Sequence, residues 1–144
     1  MRICTFFGHR DCPDAIQSKL RAMIVELITD YGVEMFYVGN QGRFDIIVRG
    51  VLRELKEEYP RIRYAVVLAY MPGGRTGDDD FEDTMLPAGI ECVHPHYAIS
   101  WRNNWMLRQA DYIVAYVTHS WGGAARYAAK AERAGKRVFN VSDG

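Results

Sequence analysis

The chain has 144 residues, 49% hydrophobic and 25% charged, which is enough apolar material for one domain spanning 1–144. Lys and Arg number 18, as do Asp and Glu, and the resulting net charge of zero argues against a broad nucleic-acid-binding surface. The odd set Cys4, Cys12 and Cys92 argues against a disulfide framework, and no apolar run approaches the roughly 20 residues of a membrane span, so the expectation is a soluble, cytoplasmic protein without a signal peptide.

Arg2–Phe7 reads as a strand. Pro13 and Asp14 open a helix whose apolar positions, Ile16, Leu20, Met23, Ile24, Leu27, Ile28 and Tyr31, are spaced by three and four. Gly32 follows as a C-cap, then a short strand, Glu34–Val38. Phe44, Ile47, Val48, Val51, Leu52, Leu55 and Tyr59 mark a second helix that Pro60 stops. Tyr64–Ala69 has the β-branched, apolar character of a strand covered on both faces. Tyr70–Pro87 is rich in Gly, Pro and Asp and reads as a loop. A short strand is expected at Ile90–Val93 and a helix at Ser100–Gln109, with Ser100 as N-cap. A strand at Tyr112–Val117, an alanine-rich helix at Ala124–Ala134 ending at Gly135, and a strand at Arg137–Val141 complete the chain. This alternation predicts an α/β fold, a three-layer α/β/α Rossmann-like arrangement around a mostly parallel sheet.

Three predicted strands end in glycine-bearing loops that lead into helical patterns: Phe7–Arg10, Val38–Arg43 and Thr118–Gly123. Such junctions expose backbone N–H groups and the positive end of a helix dipole, which attract phosphate. In the second loop Gly39 and Gly42 permit close approach, Asn40 offers donor and acceptor, Arg43 supplies charge, and Asp45 is placed to accept from ribose hydroxyls. Arg102 and Asn103 follow Ser100 in a first helical turn, where Trp101 or Trp105 is available to stack on a base. The third loop offers Thr118, Ser120, Gly122 and Gly123. Ser120 does not complete a nucleophile elbow, because Thr118 stands where the first glycine belongs. Gly8, His9 and Arg10 form the first loop, and His9 and Asp45 are the candidates for acid–base work. Cys92, His94 and His96 lack a fourth ligand, and the acidic run Asp78–Asp80 with Glu82 and Asp83 reads as solvated, so no metal is assigned.

The order of these motifs resembles the SLOG superfamily of Rossmann-like nucleotide-binding domains, which includes the Lonely-guy phosphoribohydrolases and DprA-type DNA-processing proteins. The likeness covers nearly the whole chain and is nearest a small bacterial branch with a Gly-His-Arg first loop. Gly8-His9-Arg10, the loop at Gly39 and Gly42, the Arg102-to-Met106 helix with Ala110-Asp111, and Gly122-Gly123 carry it. Lonely-guy enzymes place Pro-Gly-Gly-x-Gly-Thr-x-x-Glu after the strand that follows this helix. Here Ala124-Ala125-Arg126-Tyr127 follows the glycines, with no carboxylate before Glu132. Pro72–Gly77 imitates the motif but precedes Arg102.

The leading expectation is therefore a sensor or binding domain for a nucleotide-type ligand, with no other cofactor assigned. The alternatives are a hydrolase cleaving an N-glycosidic or phosphate bond of such a ligand, and a protein- or single-strand-DNA-interaction module by analogy with DprA. A homodimer is implied by the resemblance. Nucleic acid is disfavoured by charge, and no membrane contact is expected.

Overall fold

Runs of buried residues along the central strands require cover on both sides of a sheet, and the chain supplies it with two pairs of helices. The computed structural model describes residues 1–70 and 83–142. The glycine-rich string Pro72–Gly77 and the acidic residues Asp78–Asp80 and Glu82 lie outside them. The strands are β1 (Arg2–Gly8), β2 (Val33–Val38), β3 (Arg63–Val67), β4 (Thr84–Met85), β5 (Tyr112–Tyr116) and β6 (Arg137–Asn140). The helices are α1 (Gln17–Thr29), α2 (Gly42–Glu58), α3 (Ala98–Gln109) and α4 (Gly123–Arg133). The six strands form one parallel sheet in the order β4-β3-β2-β1-β5-β6.

The period-two alternation of a strand sends neighbours to opposite layers. Phe6, Phe36, Val66 and Val114 join Leu20, Ile24, Val48 and Leu52 in a core beneath α1 and α2. Phe7, Val67, Ile113 and Ala115 join Met106, Leu107, Tyr127 and Ala131 beneath α3 and α4. The result is the expected α/β/α sandwich, Rossmann-like in layout.

β1 is the pivot. From it the chain builds outward through β2 and β3 to β4, then crosses back to lay β5 on its other side, with Cys4 opposite Tyr112 and Gly8 opposite Tyr116. The loops after β1 and β5 diverge into different layers at this point. That leaves a crevice at the carboxyl ends of the two strands, the place where open parallel sheets bind ligands.

Three local expectations are corrected. Ile90–Val93 is not a strand: two short 3₁₀ turns, Ile90–Cys92 and Pro95–Tyr97, occupy the region. Gly89 enters the first with φ 96°, and Pro95 has no N–H to give a ladder. The loop expected at Tyr70–Pro87 contains β4, which pairs Thr84 with Val66 and Met85 with Val67. A two-residue strand has too little pattern to be read. Ser100 is not an N-cap, because α3 starts at Ala98; the Ser100 hydroxyl instead meets that of Tyr127 at 2.9 Å. Among the described residues no helix is long and apolar enough to cross a membrane.

Candidate functional site

A cavity of about 620 Å³ opens at the crevice between β1 and β5. Its walls come from the loop after β1 (Gly8, His9, Arg10, Asp11), the start of α2 (Gln41, Asp45), and one face of α3 (Ile99, Arg102, Asn103, Met106). The loop after β5 (Thr118, His119, Trp121, Gly122) and the start of α4 (Gly123, Ala124, Tyr127) close it.

The two switch-point loops are tied by backbone. The N–H of His9 donates to the Tyr116 carbonyl (3.1 Å), and the N–H of Thr118 donates to His9 Nε2 (2.9 Å). Asn140 clasps the base of the second loop from β6, donating to the Val117 carbonyl (2.9 Å) and accepting from its N–H (3.2 Å). His9 then stacks on His119 with centroids 3.7 Å apart, and His119 stacks on Trp121 at the same spacing, giving a ladder of three nearly parallel rings. Burial, and next the neighbouring His119, lower the pKa of His9, so the imidazole is neutral at pH 7. Its Nε2 lone pair is engaged by Thr118, which removes that nitrogen from service as a base.

Arg102 is one of the largest fully buried side chains and forms the floor of the cavity. Its Nη1 donates to the Val67 carbonyl (2.8 Å) and to Asn40 Oδ1 (3.0 Å), and its Nε donates to Asn103 Oδ1 (2.8 Å). These acceptors are neutral; burial lowers the guanidinium pKa, and the nearby Asp45 carboxyl opposes that shift. It sits in the second turn of α3, not the first, because the helix begins two residues earlier than expected. Gly39 makes the arrangement possible: a Cβ there would lie 3.0 Å from Asp45 Oδ2 and 3.2 Å from Arg102 Cζ. Burial pushes the Asp45 carboxyl up to about 6, against the opposing pull of the Gln41 N–H and the Arg102 charge. A group poised near neutrality can both accept and return a proton.

The second glycine loop does not present its amides to the cavity in the way expected. The Gln41 N–H donates to Asp45 Oδ2 (2.9 Å) and the Arg43 N–H to the Arg10 carbonyl (2.9 Å). Gly42, at φ 88°, lets the Arg10 backbone press within 2.8 Å of where a Cβ would be. The start of α2 is thus already capped by protein. Arg43 turns to Asp14 in an exposed ion pair outside the cavity. Ser120 is exposed and is absent from the cavity wall.

The start of α4 differs. Its N-cap, Gly122 (φ 97°), makes no side-chain cap, and both Gly122 and Gly123 line the cavity. The first N–H groups of a helix have no acceptor within it, so this end offers donors to a ligand.

The fold therefore gathers Gly8, His9, Arg10, Asp45, Arg102, Asn103, Thr118, Gly122 and Gly123 around one cavity. Gly39 and Asn40 stand behind Arg102, and Gly42 behind Arg10. Trp101 packs with Ile90 and Ala98, and Trp105 lies edge-on to Tyr37 with centroids 5.0 Å apart. Trp121, by contrast, lines the cavity and stacks on His119. Sequence reasoning passed over His119, Trp121 and Tyr127; the aromatic pair within a glycine loop was the available signal. Among the described residues no group of three or more metal-ligating side chains converges, and His94 Nδ1 accepts the His96 N–H. Comparison with known families finds no family model that matches the chain, and none of the curated proteins matches its sequence.

Proposed function

We propose that the cavity binds a nucleotide-type ligand, a sugar phosphate carrying a base. The observation that carries this reading is the mixed charge of its wall, which includes Arg10 and Arg102 together with Asp11 and Asp45. Two carboxylates would repel a bare polyanion, whereas a sugar phosphate supplies an anion for the arginines and hydroxyl donors for the carboxylates. The phosphate goes to the open start of α4 and Arg10, and the sugar to Asp45 and Asn103. The motif order resembling SLOG domains supports the same ligand class. Charge-assisted hydrogen bonds of this kind are worth about 1.5–3 kcal/mol each. Calorimetric titration with nucleoside mono- and diphosphates and ADP-ribose should give at least one saturable isotherm, weakened about tenfold by Arg10→Ala. No binding by any of them at millimolar concentration would overturn the proposal.

A second reading rests on Asp45 alone. A carboxyl raised to about 6 beside a ligand is suited to proton transfer during cleavage of an N-glycosidic or phosphate bond. Incubating nucleoside monophosphates and NAD with concentrated protein, followed by chromatography, should then yield free base or phosphate with wild type and none with Asp45→Asn. Intact substrates with wild type leave the binding role alone.

A further inference from the structure

We infer that Trp121 is the stacking platform for the planar base of the ligand, with His9 and His119 as its rigid backing. The inference rests on the sugar-phosphate reading of the cavity and adds the group that reading leaves unplaced.

Trp121 is 68% exposed, although indole is among the most costly side chains to leave in water. It does not hang free: one face is held flat on His119 at 3.7 Å, and His119 is held flat on His9. His9 is in turn pinned through Nε2 to the Thr118 amide. Among the described residues no further ring is stacked on the other face of the indole, and Trp121 belongs to the cavity wall. A further planar ring added there would continue the stack at the spacing the protein already uses.

The backing matters for the energetics. A lone surface tryptophan loses rotamer freedom when a base stacks on it, whereas this one is already oriented. Burial, and next the neighbouring His119, lower the pKa of His9, which disfavours a positive charge at the base of the ladder. The position is also right along the chain. Trp121 immediately precedes Gly122 and Gly123, so the platform and the open helix end assigned to phosphate are covalent neighbours. The other two tryptophans are committed to packing.

The test compares AMP with ribose 5-phosphate, the same sugar phosphate lacking the base, by calorimetry on wild type, Trp121→Phe and Trp121→Ala. Because Trp121 is exposed, all three proteins should keep the same circular dichroism. Wild type should bind AMP about tenfold or more tightly than ribose 5-phosphate. Trp121→Ala should erase that preference, Trp121→Phe should retain most of it, and ribose 5-phosphate affinity should be equal in all three. If ribose 5-phosphate binds and Trp121→Ala leaves AMP affinity unchanged, the platform is wrong and the cavity reading stands. If both ligands weaken equally, Trp121 shapes the loop and does not stack. If neither binds wild type, both proposals fall.

Discussion

The loops that open α2 and α4 look equivalent as sequence, each a strand end, two glycines and a helix, yet they do opposite things. At α2 the protein satisfies itself: Arg10 caps the Arg43 N–H, Asp45 caps the Gln41 N–H, and Gly39 and Gly42 are the space those contacts need. At α4 a Cβ on Gly123 would meet nothing within 4 Å, and Gly122 and Gly123 line the cavity. A glycine-rich helix start is thus an anion site only when no neighbouring element reaches it first. The loop that opens α2 is scaffold, and the loop that opens α4 lines the cavity.

The sharpest way to break this contrast is to damage the scaffold. Arg102→Ala removes a buried guanidinium and leaves Val67 and Asn40 acceptors without their donor. Chemical denaturation should show a loss of about 3 kcal/mol. A change under 1 kcal/mol would mean that the floor is not held by Arg102.

The next test pairs one substitution from each loop. Gly42→Ala forces a side chain into positive φ against the Arg10 backbone and should cost about 1–3 kcal/mol. Gly123→Pro sits at the first position of α4, where proline is tolerated, and should leave stability within about 0.5 kcal/mol. The same change deletes one amide donor and should weaken AMP about tenfold. Equal stability losses in the two variants would erase the distinction between the loops.

The smallest effect is on pH. Burial raises Asp45 from 3.8 to about 6, so between those values the folded state binds more protons than the unfolded chain. Its stabilising contribution is complete below about pH 4 and is lost as pH rises through about 6. Thermal unfolding followed across this window should show that slope in wild type and a flatter one in Asp45→Asn. An unchanged slope would assign the proton uptake to another group.

Much of the architecture was legible before any coordinates. The three-and-four spacing of Leu20, Ile24, Leu27 and Ile28, and of Val48, Val51, Leu52 and Leu55, identified α1 and α2, because those residues do fill one core. Ile90–Val93 misled because a run of mixed apolar residues fits a strand or a turn, and Gly89 and Pro95 on either side decide for the turn. In the site, Arg102 was recognisable from its motif, but not its burial. Trp101 and Trp105 were favoured because spacing along α3 does not reveal that Ile90 and Tyr37 already claim them.

Composition and periodicity by themselves determined the class of fold, its parallel strands and the carboxyl edge where the cavity opens. These follow from local propensity and from the need to cover both faces of an apolar sheet. Only the tertiary structure decided which loop is capped, which arginine is buried and which aromatic rings stack. Those outcomes depend on β5 lying beside β1, which brings His9 and His119 together from opposite ends of the chain. Contact between segments 109 residues apart leaves no trace in the spacing of either one.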